Sequence, residues 1–312
     1  MVTTSEVRTE AKHGELDELV QPTRERPGLW SQLGKFARGQ PLGFAGGLVV
    51  LLFIALALFA PWLSPFDPEA SSYEHMLAVP GTASETGTFF LGTDDFGRDV
   101  LTRIIYGART ALFVGFSCAL IGATVGLVLG VGSAFFGGRV DLLFQRVMDV
   151  FMAFPLIIMA LSIVAIFGSS IQNVIIAITI PFIPRCARVV RSSALAIREI
   201  PYIDAARANG FSNTRIILRH MVPNVMAPYL IMLTAFVGQA ILLEASLSFL
   251  GLGVQEPTPA WGLMLKNAQE YIRSEPWIAI WPGVAITLAV FGFNLFGDAL
   301  RDALDPRLRS QQ

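Results

Sequence analysis

Long runs of mostly hydrophobic residues alternate with short polar segments along the chain. Six runs reach roughly 20 residues, the length that a helix needs to cross the hydrocarbon core of a bilayer. The runs cover residues 44–63, 110–136, 147–168, 171–190, 225–248 and 277–299. This pattern predicts an all-α, polytopic membrane protein with six transmembrane helices. An even number of spans places both ends of the chain on one side of the bilayer.

The lysines and arginines indicate which side that is, because cytoplasmic segments retain positive charge. If the N-terminal tail is cytoplasmic, 18 of the 23 basic residues, Arg185 among them, fall in cytoplasmic segments. The other five are Arg98, Arg103, Arg109, Lys266 and Arg273. The distribution predicts cytoplasmic N- and C-termini and a cytoplasmic loop at residues 191–223.

The segment 1–40 mixes acidic, basic, Gln and Pro residues with few aliphatic ones. This composition is typical of a disordered tail. Trp30, Leu33 and Phe36 recur at helical spacing near its end, which predicts a short helix on the inner membrane surface. A tail of this kind can also serve as a docking arm for a partner. No small-residue cleavage site follows the first hydrophobic run, so we interpret that run as a retained span.

Composition narrows the function classes. The chain is 53% hydrophobic and 15% charged. Soluble domains carry more charge, about 25% of their residues. The formal net charge is -1, and no basic stripe interleaves with aromatics, so nothing points to a nucleic-acid partner. Cys118 and Cys186 both fall within predicted spans, which excludes a disulfide framework in an outer domain.

Residues 64–109 form the predicted outer loop between the first two spans. Near its end, Val100, Leu101, Ile104 and Ile105 form the apolar face of an amphipathic helix. We expect this helix to lie in the outer interface and to lead into the second span. A second interface anchor is predicted at Trp261, after the fifth span.

Small residues recur at four-residue intervals in the second span, where they favour close helix packing. They are Gly115, Ala119, Gly122, Gly126 and Gly130.

Two acidic residues lie in or near hydrophobic runs, where an ionisable group is costly and usually faces a cavity or a partner. Asp149 follows Arg146 and is interpreted as an interfacial group. Glu244 lies deeper, with Ser248 one helical turn away. These two residues, Glu244 and Ser248, are the candidates for a translocation path.

The loop before the fifth span is charged and rich in helix formers, and it contains residues that favour helix starts and ends. Pro201 suits the first turn of a short helix, Gly210 a left-handed helix end, and Ser212 the N-cap of a second helix. Two short helices with a sharp joint, tied at both ends to membrane spans, would act as a lever. A hairpin that merely packs on the protein's own inner surface is the alternative.

Four separated stretches resemble one family of proteins. The first is similar to the "EAA" loop of permease subunits of bacterial ABC importers. It contains Asp204, Ala205 and Ala206, then Gly210 and, thirteen positions later, Pro223, and Asp204 stands in place of the usual Glu. The stretches "LGTDDFGRDVLTRIIYGAR" (91–109), "SFLGLGVQEPTPAWG" (248–262) and "FNLFGDALRDALDPRLR" (293–309) resemble the C-type permease of the dipeptide and oligopeptide group. The resemblance covers the chain from about residue 40 onward.

This resemblance implies a type I ABC importer permease fold in residues 41–312, in a bacterial inner membrane. It implies a second homologous permease, two ATPase subunits that bind ATP and Mg²⁺, an extracytoplasmic binding protein and a peptide cargo. This chain would then bind no cofactor and have no enzymatic activity, and it contains no G-x-x-x-x-G-K-[ST] loop. The residues that the resemblance assigns to ATPase coupling are Asp204, Ala205, Ala206, Arg207, Gly210, Arg219 and Pro223.

Other functions fit the sequence less well. Nickel complexes and glutathione are alternative cargoes for the same kind of importer. A secondary transporter would usually show internal repeats with broken helices, and no such symmetry is visible. An intramembrane enzyme would need a catalytic constellation, but His13, His75 and His220 lie in separate segments and no H-E-x-x-H or G-x-S-x-G motif occurs.

Overall fold

The computed structural model describes residues 37–85 and 87–304. The chain divides into a unit of residues 1–41, which lies almost wholly outside the described residues, and a unit of residues 42–312. The predicted interfacial helix around Trp30, Leu33 and Phe36 falls outside the described residues.

Helices account for most of the described chain. The α-helices are α1 (Pro41–Leu63), α2 (Val100–Phe136), α3 (Gly138–Ala153), α4 (Leu156–Phe167), α5 (Ile171–Arg198), α6 (Pro201–Ala208), α7 (Asn213–Ile216), α8 (Met226–Phe249), α9 (Trp261–Asn267) and α10 (Trp277–Leu304). Single 3₁₀ turns lie at Tyr73–His75, Val222–Val225 and Ala268–Tyr271, and a π-helical turn lies at Ile217–Met221. The strands β1 (Thr82–Ser84) and β2 (Gly87–Phe89) form a small two-stranded antiparallel sheet that the sequence did not predict.

The prediction of a helical, multi-pass membrane protein is confirmed. Within the described residues, five helical segments are long and apolar enough to cross a membrane, and a sixth span exists if α3 and α4 form one bent span. The predicted third span, residues 147–168, is therefore wrong as a single straight helix. The two halves meet at Phe154 and Pro155 with a bend of 86°. Proline interrupts the helical hydrogen-bond ladder and restricts the residue before it, which accounts for the break.

Two other helix boundaries differ from prediction. The amphipathic segment after Asp99 is continuous with the second span in α2, and its polar residues Thr102 and Arg103 are buried as well. The predicted helix therefore exists as the first turns of α2 and leads into the second span, but its buried polar residues do not fit the predicted position in the outer interface. The fifth span begins as far back as Asn213, because helical turns run without a break through Pro223 into α8.

The centre of the fold is a close packing of α2 against α5. Successive glycines of α2 meet successive turns of α5, and a β-carbon on Gly126 would lie 2.6 Å from the β-carbon of Cys186. A β-carbon on Gly130 would lie 2.5 Å from the carbonyl oxygen of Ala187. Real β-carbons do not approach so closely, so the predicted packing role of these glycines is confirmed. On another side of α2, α8 packs in the opposite direction, and α10 packs on α8.

The two ends of this bundle are named here by what they carry. The hairpin end holds the helical segment from Pro201 to Ser212, called the hairpin below. This segment follows α5 directly, and the end of α5 lies beside the end of α2, because Arg198 donates a hydrogen bond to the carbonyl of Ala134. The arginine end holds Arg98 and Arg103, at the start of α2.

A cluster of charged residues, all buried except Glu256, lies at the arginine end. The guanidinium of Arg98 lies 2.7 Å from a carboxylate oxygen of Asp94 and 2.6 Å from one of Glu256, and Arg103 lies 3.4 Å from Glu256. Burial is the largest single influence on Glu256 and works against its charged form. The hydrogen bond from Arg98, the charges of Arg103 and Arg98 and the hydrogen bond from Asn267 together outweigh burial and hold the pKa of that carboxyl below its usual range. The cluster ties the segment before α2 to the loop after α8.

Trp261 was predicted to anchor the chain at the interface, and this prediction is wrong. The side chain is 1% exposed and its indole N–H donates to the carbonyl oxygen of Ile104 at 3.0 Å. A large aromatic ring with one polar group fits a buried site equally well when a hydrogen-bond acceptor is available.

Candidate functional site

The helix α6 offers one face to the protein and the other to solvent. Ile203 and Ala206 are buried in the core, whereas Asp204, Ala205 and Arg207 are exposed. Asp204 and Arg207 form an ion pair at 3.1 Å, with side chains 70% and 39% exposed. A pair this exposed adds little stability. The outward face is therefore a small surface of one ion pair flanked by alanine.

The end of α6 is closed by Gly210. Its φ of +75° lies in the left-handed region. The N–H of Gly210 donates to the carbonyl of Arg207 at 2.9 Å, and that of Phe211 donates to the carbonyl of Ala206 at 3.1 Å. This pair of bonds is the Schellman motif, in which glycine is favoured because it lacks a β-carbon. Ser212 then accepts a hydrogen bond from the backbone N–H of Arg215, as an N-cap does.

A polar latch joins α6 to the start of the fifth span. The hydroxyl of Tyr202 donates to the carbonyl of His220 at 3.2 Å. The side-chain amide of Asn224 donates to that same carbonyl at 2.6 Å and to the Tyr202 hydroxyl at 3.1 Å. His220 belongs to the π-helical turn Ile217–Met221. The wider spacing of such a turn leaves carbonyl groups for side-chain donors.

The hairpin also contacts the end of α2, and the end of α2 is bonded to the end of α5. Arg198 donates to the carbonyl of Ala134 at 2.9 Å. The guanidinium of Arg207 lies 5.7 Å from the ring centre of Phe135. This separation is within cation–π range. A displacement of α6 therefore acts on three membrane helices. Arg219 and Pro223, the remaining predicted coupling residues, are exposed at the base of the hairpin.

Glu244 and Ser248 lie together at the far end of α8. Both are almost completely buried, at 1% and 0% exposure. The Ser248 hydroxyl donates to a carboxylate oxygen of Glu244 at 2.7 Å and accepts from the backbone N–H of Val254 at 3.0 Å. In this conformation the pair fastens the loop after α8 and does not line an open cavity. A role in the translocation path stays a prediction.

Several residues of the site were not singled out from the sequence. Tyr202 and Asn224 carry the latch, but they resemble any polar residues of a surface helix. Their partner is a backbone carbonyl exposed by the π-helical turn, which no side-chain pattern records. Arg185 was counted with the cytoplasmic basic residues, and the sequence did not indicate its contact with another helix. It is the fifteenth of the 28 residues of α5 and reaches Gln239 of α8.

Comparison with known proteins gives consistent matches. The family model described as "Binding-protein-dependent transport system inner membrane component" matches residues 122–310. The model described as "N-terminal TM domain of oligopeptide transport permease C" matches residues 28–80.

Individual relatives cover nearly the whole chain. A putative peptide transport system permease protein of Brucella abortus is 45% identical over 86% of this chain and 89% of its own length. The dipeptide transport system permease protein DppC of Alkalihalophilus pseudofirmus is 44% identical over 90% of this chain and 91% of its own. The glutathione transport system permease protein GsiD of Pectobacterium atrosepticum is 40% identical over 90% of this chain and 92% of its own length.

A solved structure supports the same fold. A chain of the methionine ABC transporter MetNI, in an inward-facing conformation, superposes with a TM-score of 0.52 at 20% identity. The match covers 66% of this chain and 96% of that one. Because a family model matches more than half of the residues and the two permeases named first are 45% and 44% identical, the chain belongs to the family of inner membrane components of binding-protein-dependent transport systems.

Proposed function

We propose that this chain is one permease subunit of an ATP-driven peptide importer in a bacterial inner membrane. Together with a second, homologous permease it encloses the translocation path, and each permease rests on an ATPase subunit. An extracytoplasmic binding protein delivers the peptide to the arginine end. The hairpin end and both chain termini face the cytoplasm.

The observation that carries this proposal is the attachment of the exposed helix α6 to three membrane helices. Asp204, Ala205, Arg207 and Gly210 form its outward surface, and the small alanine side chains let a partner approach closely. Arg219 and Pro223 lie at its base. An ATPase that binds this surface and moves on closing would shift the ends of α2, α5 and α8 together. The latch and the contact of Arg207 with Phe135 leave the hairpin little independent motion.

ATP chemistry belongs to the partners in this proposal. The sequence has no phosphate-binding loop of the Walker type. The ATPases supply ATP and Mg²⁺ binding, and this chain converts their closure into a change between inward-open and outward-open arrangements.

Peptides are the proposed cargo because curated relatives at 42% to 45% identity carry peptide, dipeptide or di/tripeptide in their names. The glutathione permeases, at 39% to 40% identity, make glutathione a second candidate cargo of the same class.

The test is purification of the assembled transporter from its own membranes through a tag on this chain, followed by reconstitution into proteoliposomes. We expect a second permease and two ATPases to co-purify, and ATP-dependent uptake of labelled di- or tripeptides in the presence of the binding protein. Recovery of this chain alone or as a homo-oligomer would refute the proposal.

A variant pair tests the docking surface itself. Ala205→Trp places a large ring on the exposed face of α6 and should release the ATPases. Ala83→Trp places the same ring at an exposed position in β1, at the other end, and should leave them bound. Equal retention of ATPase by both variants would contradict the assignment of α6.

A further inference from the structure

Arg185 carries a positive charge into an otherwise uncharged part of the bundle. Its guanidinium donates to the side-chain oxygen of Gln239 at 3.4 Å. Gln239 lies within residues 221–243, a stretch of α8 and the turn before it that contains no acidic or basic residue. The contact therefore holds the guanidinium against the uncharged middle of α8, about halfway along α5.

Its two neighbours along α5 are neutralised, and Arg185 is not. Arg188 pairs with Asp149 at 2.5 Å, and Arg191 pairs with Asp141 at 2.5 Å. Among the described residues, no carboxylate lies within ion-pair distance of Arg185. Its bond to the neutral amide of Gln239 is long, at 3.4 Å, and replaces little of the hydration that a guanidinium loses.

Arg185 also borders a cavity at the break between α3 and α4. The cavity measures about 50 Å³ and Arg185 is the charged residue in its wall. The other lining residues are Phe151, Met152, Phe154, Leu156, Met159 and Pro181. Phe154 is 57% exposed, so this face of the chain is open toward whatever lies beside it.

Lipid is a poor neighbour for this face. A charged side chain in the hydrocarbon region is costly, and such residues face a water-filled cavity or an opposite charge. A surface with one cation set among flexible methionines and aromatic rings fits a ligand that has an anionic group and variable apolar parts. A free peptide is such a ligand, because every peptide carries a C-terminal carboxylate whatever its side chains are.

The geometry points to Arg185 as a carboxylate-binding residue of the translocation path, positioned by Gln239, that holds the C-terminal carboxylate of the peptide during passage. This inference rests on the proposed function. The guanidinium provides two parallel N–H donors that match a carboxylate. Gln239 accepts from Arg185 through its oxygen, which leaves its amide N–H₂ group as a donor toward the same ligand.

The experiment uses the reconstituted transporter with its binding protein and a labelled dipeptide. Arg185→Gln should lower uptake about tenfold, in line with the loss of one charge-assisted hydrogen-bonded contact, while hydrolysis stimulated by the loaded binding protein continues. Arg185→Lys keeps the charge but loses the two parallel N–H donors, so it should restore uptake only in part, to a level between Arg185→Gln and the wild type. Arg188→Gln, at a position three residues away that is paired with Asp149, serves as the matched control and should transport as the wild type does.

A second readout reports on binding directly. A photoreactive benzoylphenylalanine in place of Phe154 should capture the labelled dipeptide during turnover, and Arg185→Gln should abolish this capture. The same group in place of Phe113, an exposed residue of α2, should not capture it.

The outcomes separate the two proposals. Three results would each overturn the role of Arg185 and leave the importer proposal intact. They are wild-type uptake by Arg185→Gln, an equal loss of uptake in Arg185→Gln and Arg185→Lys, and undiminished capture of the dipeptide in Arg185→Gln. Failure of the wild-type transporter to move any peptide would overturn both.

Discussion

At the scale of single residues, Gly210 is the position whose identity depends on backbone conformation alone. No atom of the described part of the chain lies within 4 Å of where a β-carbon would be, so a side chain there meets no steric obstacle among those residues. Its φ is nevertheless +75°. Gly210→Val is expected to cost about 1 to 3 kcal/mol, because a branched residue is strained in this conformation. Uptake should fall relative to ATP hydrolysis, with unchanged membrane insertion.

A matched control exists in α2. Gly132 also has open space around a β-carbon, but it has a helical backbone. Gly132→Ala should be neutral or stabilising by up to about 1 kcal/mol, since alanine favours a helix. Wild-type uptake by Gly210→Val in proteoliposomes would count against the role of the joint.

Ser248 makes a prediction about stability. Ser248→Ala removes the acceptor of the buried Val254 N–H and should destabilise the protein by about 1 to 3 kcal/mol. Ser246 carries only an exposed hydroxyl that donates to the carbonyl of Leu242. Ser246→Ala should therefore change stability by about 0.5 kcal/mol or less. Thermal unfolding in detergent measures both, and similar melting temperatures for the two variants would contradict the predicted role of Ser248.

Glu244 makes a separate prediction about transport. Glu244→Gln preserves an oxygen acceptor for Ser248 and removes the charge. If the carboxylate serves the path, peptide uptake and peptide-dependent ATP turnover both fall while the melting temperature changes little. Unchanged uptake would contradict a role of Glu244 in the translocation path and leave only its hydrogen bond with Ser248.

At the scale of elements, the latch decides how firmly α6 is fixed to α8. Tyr202→Phe removes the hydroxyl that bonds His220 and Asn224 and should cost about 0.5 to 1.5 kcal/mol. Because the Asn224 bond to the His220 carbonyl remains, α6 should loosen without unfolding. The expected result is a lower ratio of peptide uptake to ATP hydrolysis. Tyr73→Phe, at an exposed residue of the other end, should leave that ratio unchanged, and an equal effect of the two variants would refute the latch.

At the scale of the whole molecule, the charge cluster at the arginine end joins segments far apart in the chain. Arg98 and Glu256 connect the 64–99 segment to the loop after α8. Asp95 stands beside this cluster with one buried carboxylate oxygen that has no hydrogen-bond partner within residues 37–85 and 87–304. Burial, and then the neighbouring charge of Asp94, raise the pKa of Asp95 from 3.8 to about 6.

This raised pKa predicts a pH dependence of stability. An acid whose pKa is higher in the folded state stabilises the fold below its unfolded pKa, near 4, and that contribution is lost as the pH rises through about 6. Asp95→Asn removes the ionised group and should stabilise the protein by about 1 to 2 kcal/mol at neutral pH after allowance for solvent screening. The gain in melting temperature should be larger at pH 7.5 than at pH 4.5, and a gain independent of pH would contradict the shift.

Several features followed from the sequence alone. Apolar run lengths determined the membrane class and the approximate positions of the spans, because bilayer thickness sets a minimum length for an apolar helix. The chemistry of Pro201, Gly210 and Ser212 determined the turn that closes α6, because those residues act through their own backbone and nearest neighbours. The glycines of α2 likewise indicated a close helix contact.

Tertiary structure decided the features that depend on partners distant in the chain. Whether Trp261 lies in a membrane interface or in the core depends on the carbonyl of Ile104, 157 residues away. What Arg185 contacts depends on Gln239 in another helix. The bend at Phe154 becomes a lined cavity only through its contact with α5. A hydrophobic pattern records how apolar a segment is, but the surroundings of a charge are set by the helices that pack around it.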